Sequence, residues 1–416
     1  MTTISAGDTA WLLTSTALVL FMTPGLALFY GGMSRRKNVL NTIMSSFIIA
    51  GIGALLWLFV GYSLSFSGNN GGIIGDLKYF AFNGVNWDPN PNYAATIPHN
   101  LFATFQMMFA IITPALITGA LVERMKFSTL IIFTTAWSLI VYYPLAHMVW
   151  GTGGFLKNLG AIDFAGGLVV HISSGVSALV AAIIVGKRKG YGMTSYHPHN
   201  IPLVFVGAAI LWFGWFGFNG GSALAANGLA VHAILTSNIA AATAMLSWVI
   251  IEKITRGKAT MLGAATGAIV GLATITYGAG YVPVWAAVVI GAVASPLSYF
   301  AVSYLKHKFG YDDALDAFGC HGIGGIWGGI ATGLFAQASV NPALTGSGLV
   351  FGETKLFFAQ IIAICVTILL AAIGTAVILL VIKLFTPLRV TAREEAEGLD
   401  ISQHGESAYP SFTGMD

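Results

Sequence analysis

The sequence predicts an all-α polytopic membrane protein of eleven transmembrane helices, arranged as two inverted five-helix repeats followed by one C-terminal helix. Three observations carry this. First, 56% of the 416 residues are hydrophobic and only 8% are charged, with a mean hydropathy of +0.79, more apolar than a water-facing fold can hide. Second, apolar runs of about 20 residues, the length that crosses the hydrocarbon core, recur eleven times. Third, the basic residues gather on alternate connections, as the positive-inside rule requires. The 51 glycines fit helices packed closely through small side chains.

Taken in order, the first run covers 10 to 31. It is long enough to be a true span, and the residues before it lack the basic segment and cleavage site of a signal peptide. Arg35, Arg36 and Lys37 separate it from the second run, 41 to 66. The connection from Ser67 to Pro98 is rich in Asn, Gly and Pro and is expected to form a lid or the rim of a vestibule. The third run, 99 to 121, is followed by Arg124 and Lys126, and the fourth is 128 to 149. The fifth, 164 to 185, precedes Lys187, Arg188 and Lys189, and the sixth and seventh are 201 to 221 and 232 to 251. Lys253, Arg256 and Lys258 lead to the eighth and ninth, 259 to 277 and 282 to 304. Lys306 and Lys308 lead to the tenth and eleventh, 316 to 336 and 354 to 385, and Lys383, Arg389 and Arg393 follow. These connections hold sixteen of the nineteen basic residues, the others being Lys78, Lys157 and Lys355. The N-terminus is therefore expected outside and the C-terminus in the cytoplasm, in agreement with an odd number of spans. The expected organisation is a membrane domain over 1–385, with repeats at 8–186 and 201–336 and an extra helix at 354–385, and a cytoplasmic regulatory tail over 386–416.

The two halves share one pattern. Asp163 precedes His171 by eight residues, and Asp313 precedes His321 by eight, each in a run of small and apolar residues. Ionisable side chains are expensive at membrane depth, so two matched sites point to function more than to interhelical hydrogen bonding alone. Five spans lead to each histidine, so the second half enters from the opposite face, the arithmetic of an inverted repeat whose halves meet near the midplane. Histidines facing one another there are suited to relaying protons or binding a small polar solute. Asp163, directly before Phe164-Ala-Gly-Gly, stands where a helix N-cap would.

Other chemistry is poorly supplied. Cys320 and Cys365 both lie in apolar runs and offer neither a disulfide framework nor a thiolate zinc site. No third ligand stands at metal spacing beside either histidine, so no cofactor is expected, and no nucleic-acid partner. An intramembrane enzyme would need a nucleophile or metal set that the chain does not display. Aromatic clusters surround the histidine runs: Phe105 and Phe109, Trp137 and Trp150, and Trp212, Trp215 and Phe218. Most such rings are interface belts, but rings beside a hydroxyl such as Ser222 suit a small cation, worth about 1 to 2 kcal/mol when desolvated.

Phe105-Gln-Met-Met-Phe109-Ala, Gly119-Ala-Leu-Val-Glu-Arg124, His147-Met-Val-Trp150-Gly, Asp163-Phe-Ala-Gly-Gly, Pro198-His-Asn200, Gly214-Trp-Phe-Gly-Phe-Asn219 and Phe318-Gly-Cys-His321-Gly together resemble the ammonium transporter family, of the bacterial type. The tail Glu397-Gly-Leu-Asp-Ile-Ser-Gln-His404-Gly-Glu-Ser-Ala-Tyr409 is similar to that family's cytoplasmic segment. Met107, Met108 and Gly220 are minor departures. The resemblance implies a homotrimer in the inner membrane, each subunit holding its own narrow hydrophobic pore for ammonium or ammonia. It also implies roles: Trp150, Ser222 and Phe109 as the outer ammonium site with Asp163 beneath it, Phe109 and Phe218 as the gate, and His171, His321 and Trp215 lining the pore. Tail residues Gly398, Leu399, Asp400, His404, Gly405 and Glu406 are implied to be regulatory, with a PII-type signalling protein as partner. Charged Arg393, Glu394, Glu395 and Glu397 leave the tail too little apolar surface to fold alone, so it is expected to dock. Ammonium would be recruited and deprotonated outside the gate, because a charged ion in a dry conduit costs far more than neutral ammonia. The alternative on the same fold is an ammonium sensor or a Rhesus-type ammonia gas channel, and a sensor would be expected to carry a signalling domain.

Overall fold

The computed structural model describes residues 4–193 and 195–409, so the tail's residues 410–416 lie outside the described residues. Helix α1 is Ala6–Met33, capped by Ser5, whose hydroxyl accepts from Asp8 N–H. Helix α2 runs over Val39–Leu56 and continues through a π turn, Trp57–Gly61, into Tyr62–Phe66. Helix α3 is His99–Ile117, and α4 is Phe127–Trp137 with a π turn at Ser138–Tyr142 leading to Tyr143–Trp150. Helix α5 opens with a π turn, Gly167–Ile172, and proceeds over Ser173–Val185.

The second half is also helical. Helix α6 is Ile201–Gly221, capped by the Asn200 side chain with proline in its first turn; α7 is Gly228–Arg256, capped by Asn227; α8 is Met261–Ile275, capped by Thr260. Helix α9 is Val284–Phe300 with a π turn, Ala301–Leu305, before Lys306–Phe309. Helix α10 opens with the π turn Phe318–Gly322 and continues over Ile323–Phe335, and α11 is Lys355–Phe385. The fourth and ninth helices thus each carry a π turn, as do the fifth and tenth, and such turns mark functional sites in many helices.

Among the described residues, nine helices are long and apolar enough to cross a membrane. The predicted eighth and tenth runs are helical as well, but Met261–Ile275 is short. Helix α7 extends past the predicted stop at 251 because Glu252 is a buried cap: its carboxylate accepts from Thr260 N–H at 3.0 Å and from the Thr260 hydroxyl. Lys253 and Arg256 then complete the last turn, where basic side chains complement the helix dipole.

Small residues set the packing. A Cβ at Gly207 of α6 would lie 2.3 Å from the Phe29 backbone nitrogen of α1, so these two helices touch backbone to backbone. A Cβ at Gly175 of α5 would lie 2.2 Å from the Gly322 nitrogen of α10. That crossing brings together the two helices that carry the histidines.

Candidate functional site

At the end predicted to face outward, a cavity of about 290 Å³ is lined by Phe109, Trp150, Asp163 and Ser222 together with Gln106, Tyr93 and Lys157. The Ser67 to Pro98 connection contributes Asn92 and Tyr93 to this lining, and Tyr93 is fixed by donating to Phe66 C=O at 2.7 Å. The Trp150 indole donates to the Asp163 carbonyl at 3.0 Å and meets the Phe109 ring edge-on at 6.2 Å. The Ser222 hydroxyl donates to Phe218 C=O at 2.8 Å, which leaves its oxygen free to accept. At the inner edge of the cavity the Phe109 and Phe218 rings lie 4.3 Å apart, and both are buried.

Beyond that aromatic pair lies a constriction of only about 10 Å³, lined by His171, His321, Trp215 and Phe218 with Leu26, Val170 and other apolar side chains. A space of this size holds about one water-sized molecule. His171 and His321 approach through their Nδ1 atoms at 3.2 Å, their rings nearly parallel at 13°. One Nδ1 must donate and the other accept, so two neutral rings in opposite tautomers satisfy the contact. The Trp215 ring stacks on His171 at 5.7 Å and is oriented by donating to the Thr276 hydroxyl at 2.8 Å. His171 Nε2 is buried with no hydrogen-bond partner among the described residues.

Asp163 is a cap of unusual reach. Its Oδ1 accepts from Gly166 and Gly167 N–H at 2.9 and 2.7 Å, and its Oδ2 from Leu168 and Val169 N–H at 2.8 and 3.3 Å. The residue in the N-cap position is Gly166, with φ 114°, so the carboxylate folds back over the helix start from three residues upstream. The reason is local: only a left-handed glycine lets the chain turn tightly enough to aim four N–H groups at one side chain. Asp313 repeats the device on α10, accepting from Ala317 N–H at 3.0 Å and Phe318 N–H at 2.8 Å.

The tail docks on the end opposite the outer cavity. Gly398, at φ 116°, turns the chain so that buried Leu399 donates to Asn38 Oδ1 at 2.8 Å. Asp400 Oδ1 accepts from Asn41 N–H at 2.8 Å, placing a carboxylate at the start of α2, where the helix dipole favours it. The His404 ring contacts Asn41 Nδ2 at 3.0 Å and packs edge-on against Phe127. Gly405, at φ 70°, ends this turn, and Glu406 N–H donates to Asp400 C=O at 3.2 Å. Upstream, Thr391 and Glu394 form a capping box, and buried Glu395 pairs with Arg389 at 2.7 Å.

Beside the tail lies an ion network that the Gly119 to Arg124 motif did not by itself disclose. Glu123, at φ 71°, pairs with Arg35 at 2.6 Å and Arg188 at 3.5 Å, and Arg188 pairs with Asp312 at 2.8 Å. Arg124 donates to the Asp312 and Gly186 carbonyls. Four connections are thereby tied together by side chains whose partners are remote in sequence. His147 was likewise visible only as part of a motif; its ring nitrogens face Ser65 C=O at 3.1 Å and Asn69 Oδ1 at 3.3 Å.

A profile of the ammonium transporter family matches residues 10–409. The ammonium transporter of Bacillus subtilis (strain 168) is 52% identical over 403 residues, covering 97% of this chain and 98% of that protein. Among solved structures, Saccharomyces cerevisiae Mep2 superposes with a TM-score of 0.88 at 38% identity, covering 94% of this chain and 88% of that one. A structure described as "Sensor Amt Protein" does so at 0.88 and 31%, covering 96% and 98%.

Proposed function

The chain belongs to the ammonium transporter family, and from that premise we propose that it conducts ammonium across the cytoplasmic membrane by recruiting the ion outside and passing it inward as ammonia. Trp150, Phe109 and Ser222 hold the ammonium ion in the outer cavity, and Phe109 and Phe218 form the gate. His171, His321 and Trp215 line the conduit beneath it. The observation that carries the reading is the continuous order of these groups: a cavity with a free hydroxyl oxygen, a closed ring pair, then a one-molecule space lined by His171 and His321, with His171 Nε2 buried and unpartnered among the described residues. Potassium has no proton to lose and is excluded at the ring pair, since a dry space with neutral imidazoles gives an ion too little in return for its hydration. Ammonia needs only one or two hydrogen-bond partners, which the imidazoles supply, and the paired Nδ1 atoms give the released proton a route of its own.

Asp163 sets the fifth helix and adds negative charge beneath the recruitment site. The functional unit is a homotrimer in the inner membrane, N-terminus outside and C-terminus in the cytoplasm. The docked tail is a regulatory element, and a PII-type signalling protein reads it at the cytoplasmic face; the contacts of Leu399, Asp400 and His404 with α2 and α4 support that role. Reconstitution into liposomes tests the main reading. An inward ammonium gradient is expected to drive ammonia delivery and an ammonium-evoked current, with none for potassium. The likeness to a sensor keeps one alternative: saturable ammonium binding without flux would favour a sensor.

A further inference from the structure

The outer cavity contains an arrangement at odds with cation capture. Among the described residues that line it, two carry formal charge, Asp163 and Lys157. Asp163 is only 5% exposed, and both of its carboxylate oxygens are turned to the four N–H groups that open α5. Lys157, by contrast, is exposed. It stands on the short helix Phe155–Leu159, which is pinned by buried Leu156 and by Phe155 N–H donating to Gly72 C=O at 2.8 Å. Its ammonium donates to the Trp150 carbonyl at 3.1 Å, the backbone of the very residue whose ring faces the cavity. Of the other acids at the outer end, Asp8 accepts from Ala226 N–H, Asp76 from the Ser67 hydroxyl and Lys78 N–H, and Asp88 from the Asn86 side-chain amide; none of these, nor Glu353, lines the cavity.

Resting on the transport reading above, we propose that Lys157 is an affinity-setting residue, a tethered alkylammonium that shares the recruitment cavity and raises the ammonium concentration at which it fills. A cavity of about 290 Å³ is roughly 8 Å across if spherical, so a captured ammonium and the Lys157 charge lie within about 10 Å of one another. At that separation, effective dielectric constants between about 80 and 20 make the unscreened repulsion worth a weakening of capture of about 2-fold to about 17-fold, which salt screening brings to roughly twofold to tenfold. The short helix and the Trp150 carbonyl keep the charge from swinging away. A carrier tuned in this way fills at higher ammonium levels and shields the cavity from adventitious cations of equal charge.

The test measures initial ammonium-driven flux against ammonium concentration in proteoliposomes at pH 7, where ammonium and lysine are both charged, for wild type, K157R, K157Q and K157E. The expected order of KM is wild type and K157R highest, K157Q lower by roughly twofold to tenfold, and K157E lower again by a similar factor. A KM that is the same across the series overturns the inference. So does a rise in KM with equal loss of maximal rate in K157Q and K157E, which would assign Lys157 to holding the Trp150 backbone instead. Absence of flux in wild type overturns the transport reading itself, and this inference with it.

Discussion

Replacing Asp163 separates capping from charge, because asparagine keeps one acceptor oxygen and no charge while alanine keeps neither. In Asp163→Ala the N–H groups of Gly166, Gly167, Leu168 and Val169 lose their acceptor in a buried setting. Loss of a cap costs about 0.5–2 kcal/mol, and each buried donor left without a partner adds about 1–3 kcal/mol. If local relaxation satisfies all but one donor, the total is about 1.5–5 kcal/mol, concentrated on the turn that carries His171. In Asp163→Asn the amide oxygen can still serve the Gly166 and Gly167 donors, so with the same relaxation only one of the Leu168 and Val169 donors is left unserved and the cost falls to about 1–3 kcal/mol. The assay combines apparent unfolding temperature in detergent with ammonium flux in proteoliposomes. We expect wild type, Asn and Ala to fall in that order of stability, with a folded, slower transporter for Asn and loss of both fold and flux for Ala. Full activity and unchanged stability in Asp163→Ala would refute both roles. A well-folded but wholly inactive Asp163→Asn would show that charge outweighs capping.

Three further outcomes follow from the same geometry. Gly175→Ala places a Cβ against the Gly322 backbone, so it is expected to separate α5 from α10 and abolish flux at a cost of roughly 1–3 kcal/mol or more; a wild-type rate would contradict the backbone contact. Asp400→Ala removes a carboxylate at the start of α2, worth about 0.5–2 kcal/mol, and is expected to raise tail proteolysis, while deletion after Pro387 is expected to abolish binding of a PII-type protein. Retained binding would mark the tail as passive. At the ion network, burial works to raise the Asp312 carboxyl, but hydrogen bonds and charge from Arg188 together with the charge of Arg124 prevail and hold it below the ordinary 3.8. Its contribution is therefore complete above about pH 4 and is lost as pH falls through the depressed value. Apparent unfolding temperature is expected to drop below that pH in wild type, and Asp312→Asn is expected to flatten the drop.

How much of this the sequence discloses depends on how sharply each residue stands out from its surroundings. Asp163 and His171, Asp313 and His321 are conspicuous because ionisable groups are rare in apolar runs, and their equal spacing supports the inverted repeat that the span count raises. The π turns were not legible, since one extra residue per turn leaves no trace in a run that is apolar on every face. Thr276, which orients Trp215, was invisible for a related reason: a threonine in an apolar helix looks the same whether or not it holds a partner. The seventh run stops at 251, where Glu252 interrupts the apolar residues, whereas the fold buries that acid as a cap for the next helix. Lys157 passed as an ordinary residue of an outer connection, and only the closed-up chain places it beside Trp150. The tail's need to dock followed from its charge, but its acceptor, the start of α2, required three dimensions.

The central claim is that ammonium passes by way of the two histidines, stripped of its charge. Ammonium-evoked and potassium-evoked currents, recorded in proteoliposomes for wild type and the His171→Ala and His321→Ala double variant, test it most directly. The account predicts current with ammonium alone in wild type, and in the double variant either no current or current with potassium as well. An unaltered ammonium current with potassium still excluded in the double variant would contradict it.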